Sequence, residues 1–171
     1  QNHPSIDSLF NRCKELYDQD PTNAPTIIFI KAGEHEVEGY VEEEEEEEEE
    51  DDDEYREPYL LITYPMKIIG AGRDKTFITT GGFEIQGTKE EGKIVDMQDF
   101  TMKGASGSGL YNYGGLSFLC TRMTFTQCGL FGVAAWNTKG RLINCVITQC
   151  ERSGIFCEGN ALIELEGSQT K

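Results

Sequence analysis

Met123-Thr124-Phe125-Thr126-Gln127-Cys128 returns as Cys145-Val146-Ile147-Thr148-Gln149-Cys150, and Phe100-Thr101-Met102-Lys103-Gly104-Ala105 stands in the same place one repeat earlier. The starts at 100, 123 and 145 are offset by 23 and then 22 residues. Four residues beyond each stretch comes a glycine (Gly109, Gly132, Gly154), followed by an apolar residue (Leu110, Val133, Ile155). Upstream, Met97, Cys120 and Leu142 form one column, and Asp99, Arg122 and Asn144 form another. A fixed period of this length is the signature of stacked repeats, in which each unit buries its apolar face against the next. The apolar residues alternate with polar ones over three to five positions, the period of a strand and not of a helix. The leucine-rich pattern Leu-x-x-Leu-x-Leu-x-x-Asn is absent. The expected fold is therefore a coil of short parallel strands, with Leu142, Cys145 and Ile147 inward, Val146 and Thr148 outward and Asn144 at a corner. Equivalent side chains would form ladders at the strand spacing of about 4.8 Å. That places Met123 over Cys145, Phe125 over Ile147 and Cys128 over Cys150. Cys128 and Cys150 would then be close enough for either a disulfide or two buried thiols.

Upstream of the repeats the pattern differs. Ile6, Leu9, Phe10, Cys13, Leu16 and Tyr17 recur at helical spacing, with Ser5 as N-cap, Asp7 in the first turn and Pro21 and Pro25 closing the segment. Residues 1–25 thus read as a capping helix and linker. Thr26–Ile30, Tyr59–Thr63, Met66–Gly70 and Thr76–Ile78 read as strands, and His35 as an exposed strand residue. Between them, Glu42–Glu54 is thirteen consecutive carboxylates. Like charges at that density repel and cannot pack, so 39–57 reads as a disordered insertion, dispensable for folding, in a solenoid running from 26 to 171.

The 171 residues carry 31 acids and 15 bases, for a net charge of −16. Without the tract, 18 acids face 15 bases, so the domain itself is close to neutral. This argues against a nucleic-acid partner, which needs a basic surface, and against anionic membranes. No apolar run is long enough to span a bilayer, and the polar Gln1-Asn2-His3-Pro4 start is no signal peptide. A cytoplasmic or nuclear location is the expectation, with a mature secreted fragment as the alternative. Six cysteines without a Cys-x-x-Cys pair, and only two histidines, supply no metal set. No cofactor motif stands out: Gly70-Ala71-Gly72 precedes a strand pattern and not the helix a dinucleotide loop requires.

The repeats after Gly92, together with Ile27–Gly33 and Met66-Lys67-Ile68-Ile69-Gly70-Ala71-Gly72-Arg73-Asp74-Lys75-Thr76-Phe77-Ile78, resemble the right-handed parallel β-helix of the pectin lyase-like superfamily. The second stretch is similar to the opening coil of pectin methylesterases. The resemblance covers roughly residues 26–167 outside the tract. It implies a single-stranded parallel β-helix. It leaves function divided between carbohydrate-active enzymes, carbohydrate binders and intracellular adaptors such as F-box proteins.

Hydrolytic members of that superfamily need two carboxylates converging on one bond, and the esterases use two Asp on adjacent coils with an Arg. Here Asp96 and Asp99 share one coil, and later coils offer no Asp. If the chain is an enzyme, those two act with Arg122 as charge partner; otherwise Asp99 and Arg122 form a surface ion pair. The outward columns Thr101, Thr124, Val146 and Gln98, Thr121, Ile143 carry no charge. Tyr113 and Trp136 share one column and Tyr111, Ala134 and Phe156 another. Stacked exposed aromatics suit a sugar or peptide platform. The expected function is thus a non-catalytic interaction module whose partner is a protein or a glycan. Leu162–Gly167 begins another coil, so further coils or self-association are expected at that end.

Overall fold

A computed structural model describes residues 4–39 and 57–168. The acidic tract at 42–54 lies outside the described residues. Strands β1 (Ile27–Ile30), β2 (Gly33–Glu36) and β3 (Tyr59–Ile62) make a first coil, and β4 (Lys67–Gly70), β5 (Thr76–Thr79) and β6 (Gly82–Ile85) a second. The third is β7 (Ile94–Gln98), β8 (Thr101–Lys103) and β9 (Leu110–Tyr113). The fourth is β10 (Ser117–Thr121), β11 (Thr124–Thr126) and β12 (Phe131–Trp136). The fifth is β13 (Lys139–Ile143), β14 (Val146–Thr148) and β15 (Ser153–Glu158), after which β16 (Leu162–Glu166) opens another. Every third strand pairs in parallel, giving a first sheet β1-β4-β7-β10-β13-β16, a second β2-β5-β8-β11-β14 and a third β3-β6-β9-β12-β15. This is the expected parallel β-solenoid. Phe125 lies opposite Ile147 and Thr124 opposite Val146, in the register the repeat predicts.

The three sheets enclose one apolar stack. Ile78, Met102 and Phe125 of the second sheet, Met97, Cys120 and Leu142 of the first, and Leu60, Phe83, Leu110 and Val133 of the third are all buried. The glycine column has a steric cause. A Cβ on Gly109 would come within 2.9 Å of the Phe125 ring, and one on Gly132 within 2.5 Å of Ile147. The corner therefore has to be bare for the large residue of the strand before it to fit.

From β5 on, each strand is followed by a residue at positive φ. Asp99 (62°), Arg122 (50°), Asn144 (52°) and Gly167 (91°) follow the first-sheet strands. Thr80 (73°), Gly104 (69°), Gln127 (56°) and Gln149 (56°) follow the second, and Gly87, Gly114, Asn137 and Gly159 the third. The left-handed region costs a residue with a Cβ about 1–2 kcal/mol, while glycine in its place forfeits part of that gain to unfolded-chain entropy. Gln127 is exposed, and its backbone N–H bonds Thr148 O without using the side chain. Gln127→Gly should accordingly raise the unfolding free energy by about 0.5–1 kcal/mol, read as an upward shift of the urea midpoint at unchanged slope.

Helix α1 (Ile6–Gln19) closes the N-terminal end. Ser5 caps it, accepting from Ser8 N at 3.2 Å. Ile6, Phe10 and Cys13 are buried, with the Phe10 ring edge-on to Phe83 of the second coil at 5.3 Å. Tyr17 stacks on Tyr64 at 4.3 Å, and the Tyr64 hydroxyl donates to Pro25 O. Asp7 suits the helix dipole and also ties the helix down, accepting from the backbone N–H groups of Glu38 and Gly39. At the other end Ile147, Ile155 and Ile163 are half-buried, and Leu165, below Leu142 in an inward column, is 54% exposed.

One local expectation is corrected. His35 is a strand residue as expected, but it is not exposed. It lies opposite Ile78 in the inward column, half-buried, with Nε2 2.9 Å from Lys31 O. The first coil can hold an imidazole there because its backbone carbonyl partner comes from the preceding turn.

Candidate functional site

The outer face of the third sheet carries the aromatic side chains. Tyr111 lies opposite Ala134, which in turn lies opposite Phe156, and Tyr113 lies opposite Trp136. The strand period turns these outward while Leu110, Asn112, Val133 and Ala135 face the core. Trp136 is the hub: its ring lies 5.3 Å from Tyr111, 5.9 Å from Tyr113 and 5.0 Å from Phe156. Phe131 stacks on Phe156, and Tyr59 of the first coil stacks on Tyr111. Ala134 occupies an outward position yet is fully buried. Tyr113 is 67% exposed. Tyr111, Tyr113 and Trp136 thus lie together on one face, and Tyr59, Phe131 and Phe156 extend the cluster.

Two carboxylates flank the rings. Trp136 donates through Nε1 to Glu158 at 2.7 Å, and Glu84 accepts from Gln86 Nε2 at 3.2 Å. Neither meets a Lys or Arg among the described residues. Between Glu84, Gln86, Tyr111, Tyr113 and the Gly114-Gly115 turn lies an open cleft of about 320 Å³. Burial raises the Tyr111 phenol above its ordinary range, with the negative Glu84 adding to the effect, so it stays a neutral donor. Glu84 and Tyr59 were not placed on this face by sequence, because the insertions before Gly92 break the repeat offset. Their signal is the Gly82-Phe83-Glu84-Ile85 run, which has the glycine-apolar start of Gly109-Leu110-Tyr111-Asn112.

The candidate acids are held apart. Asp99 sits at a corner and takes Arg122 bidentately, Nε to Oδ1 at 2.6 Å and NH2 to Oδ2 at 2.8 Å. This is the ion pair the corner column suggested, and hydrogen bonding to Asp99 lifts the guanidinium pKa further. Both residues line a cleft of about 500 Å³ with Arg73, Asp74 and Asn144. Asp96 is not among its lining residues. It projects from β7 toward the preceding coil, where its Oδ2 is 3.6 Å from Lys67 Nζ, and its buried Oδ1 accepts no hydrogen bond. One carboxylate is turned to the second coil and the other to the fourth, each against a cation. Acid–base work on a single bond needs the two to converge. Of the outward threonines, Thr101 is buried, its hydroxyl donating to Arg73 O at 2.6 Å.

No family model, no curated protein and no solved structure matches this chain. All six cysteines are free thiols. Burial pushes the Cys128 thiol up to about 12, with Cys150 beside it, and holds Cys13, Cys120 and Cys145 above the ordinary thiol range. A thiol so rarely ionised is inert and packs as a small apolar residue. Among the described residues no group of three or more His, Cys, Asp or Glu is arranged to hold a metal, and no helix is long and apolar enough to cross a membrane.

Proposed function

We propose that this chain is a non-catalytic β-solenoid interaction module that binds a partner protein through the outer face of its third sheet. The observation that carries the reading is the cluster of Tyr111, Tyr113, Trp136 and Phe156 on adjacent coils, with Tyr113 largely exposed. Tyr and Trp are the residues that most often dominate binding energy, because each offers a large rigid surface with few torsions to freeze. Several charged groups on and beside the first sheet are by contrast spent on one another: Lys67 on Asp96, Arg122 on Asp99, and Arg141 on Glu164 and Glu166. Kinship with the pectin lyase-like superfamily is part of the proposal, supported by coils of three parallel strands, and it keeps a glycan as the second reading of the aromatic face.

Two measurements test this. A random peptide display library selected against the chain should yield ligands that lose at least tenfold in affinity on Trp136→Ala, about 1.4 kcal/mol, and keep it on Thr126→Ala in the second sheet. Selection yielding only ligands indifferent to Trp136 defeats the reading. Methyl-esterified and free polygalacturonate, with and without Ca²⁺, should show no turnover. Turnover abolished by both Asp96→Ala and Asp99→Ala, with the fold intact, would replace the module by an enzyme.

A further inference from the structure

We infer that the third-sheet face takes a basic, extended segment of its partner, with one Arg or Lys side chain laid in the cleft between Glu84, Tyr111 and Tyr113 and a second against Glu158 beside Trp136. The inference rests on the protein-binding reading above and adds the chemistry of the partner.

Charge is the first argument. The five strands of the third sheet, Tyr59–Ile62, Gly82–Ile85, Leu110–Tyr113, Phe131–Trp136 and Ser153–Glu158, contain no Lys or Arg. Their ionisable carboxylates are Glu84 and Glu158, each held by one neutral donor. Each has capacity for a cation that the fold itself supplies to Asp96, Asp99, Glu164 and Glu166 on the other side of the solenoid. Lys89 is held at the corner that follows Trp136, its ammonium on the Asn137 carbonyl, and forms no ion pair with Glu84 or Glu158.

The rings are the second argument. A guanidinium or ammonium is attracted to the face of Trp or Tyr, and Arg can stack flat on it while its fork meets a carboxylate. The cleft places the exposed Tyr113 ring, Tyr111 and the Glu84 carboxylate around one opening. At the far end Trp136 holds the Glu158 carboxylate at its own edge through the indole N–H. Ring face and counter-charge thus coincide at two points. A neutral sugar could donate its hydroxyls to the two carboxylates but would leave their charge uncompensated.

Spacing is the third argument. Glu84 and Glu158 are separated by three strand steps, β6 to β9 to β12 to β15, and by two residues along the strand. At the usual strand spacing and rise, that is about 14 Å across and about 7 Å along, roughly 16 Å in all. An extended chain covers this in about five residues. The segment therefore carries two basic residues four or five positions apart and runs obliquely across the strands.

The test is fluorescence anisotropy with the full chain at physiological salt. The probes are labelled peptides on one Gly/Ser/Val backbone carrying two Arg, two Lys, two Glu or no charge at that spacing, and an oligogalacturonate. The two-Arg peptide should bind best and lose about tenfold on Tyr113→Ala and about fivefold on each of Glu84→Gln and Glu158→Gln, with circular dichroism unchanged. Moving the two Arg to adjacent positions should remove the second carboxylate's contribution. Equal binding of the neutral peptide, still sensitive to Tyr113→Ala and Trp136→Ala, would overturn the basic segment and leave the protein-binding face standing. Oligogalacturonate binding sensitive to the same variants would replace the peptide by a glycan. Affinity indifferent to the face variants but lost on deleting residues 42–54 would assign binding to the acidic tract. No binding by any probe, with the fold intact, would defeat both readings.

Discussion

Phe125→Ala should lower the unfolding free energy by about 3–5 kcal/mol, read as the change in urea midpoint at constant slope. Phe125 is fully buried between Met102 and Ile147 in the inward column of the second sheet. Its ring extends into the space left by the absent side chain at Gly109. The removed ring leaves a void that the stack cannot close, because the coils above and below are held at fixed spacing by parallel ladders along all three sheets. The equivalent substitution one coil later, Ile147→Ala, removes a half-buried side chain and should cost about 1–2 kcal/mol. A solenoid couples each coil only to its neighbours. The contrast between these two variants therefore measures how far into the stack the core is dense. Equal costs for the two would mean the ladder positions are energetically alike, contrary to their burial.

That contrast follows from ladders readable in the sequence itself. The 22- and 23-residue offsets place Phe125 against Ile147, Tyr113 against Trp136 and Asp99 against Arg122, and these pairs meet in the fold. Stacked repeats make this possible, because one offset fixes every column at once. The first two coils were less legible. Between β1 and β4 the chain carries the acidic tract, and between β6 and β7 a polar turn, so neither coil shares the offset of the later ones. Glu84 and Tyr59 lost their columns for that reason, and His35 its inward direction. The left-handed corners were hidden by residue type. Asn144 signals such a corner, but Thr80, Arg122, Gln127 and Gln149 do not, since a side chain with a Cβ is held there by the ladder and not by its own preference. The aromatic half of the candidate site could be read from periodicity. Glu158, 22 residues after Trp136, falls on the same offset, but Glu84 could not be read, because the pairing of β6 with β9 depends on loops of unequal length.

Asn112 carries the other large effect. It stands in an inward, otherwise apolar column with Ile62, Ile85, Ala135 and Cys157, and it is completely buried. Its Nδ2 donates to Leu116 O at 2.7 Å and its Oδ1 accepts from Gly115 N at 2.8 Å, closing the turn through Gly114 at the lip of the aromatic cleft. The next coil locks the same turn, Thr138 donating to Gly115 O at 3.0 Å. Asn112→Ala strips the amide from two buried backbone groups and should cost about 2–4 kcal/mol. Asn112→Asp separates the two bonds. The carboxylate can still accept from Gly115 N–H but has no proton for Leu116 O, and its charge is buried among apolar ladders. Burial raises the folded-state pKa of such an aspartate above its unfolded value of about 3.9. The folded state then binds the proton more tightly. The destabilisation relative to the native chain is largest above the raised pKa and shrinks as pH falls through it toward the unfolded value. In the protonated form the carboxyl O–H can donate to Leu116 O, restoring both bonds. Urea midpoints of the Asp variant and the native chain should therefore converge on acidification, while those of the Ala variant stay parallel to the native chain. A pH-independent gap for the Asp variant would mean the turn has opened and let water reach residue 112, and the lip of the cleft would then not be fixed by this amide.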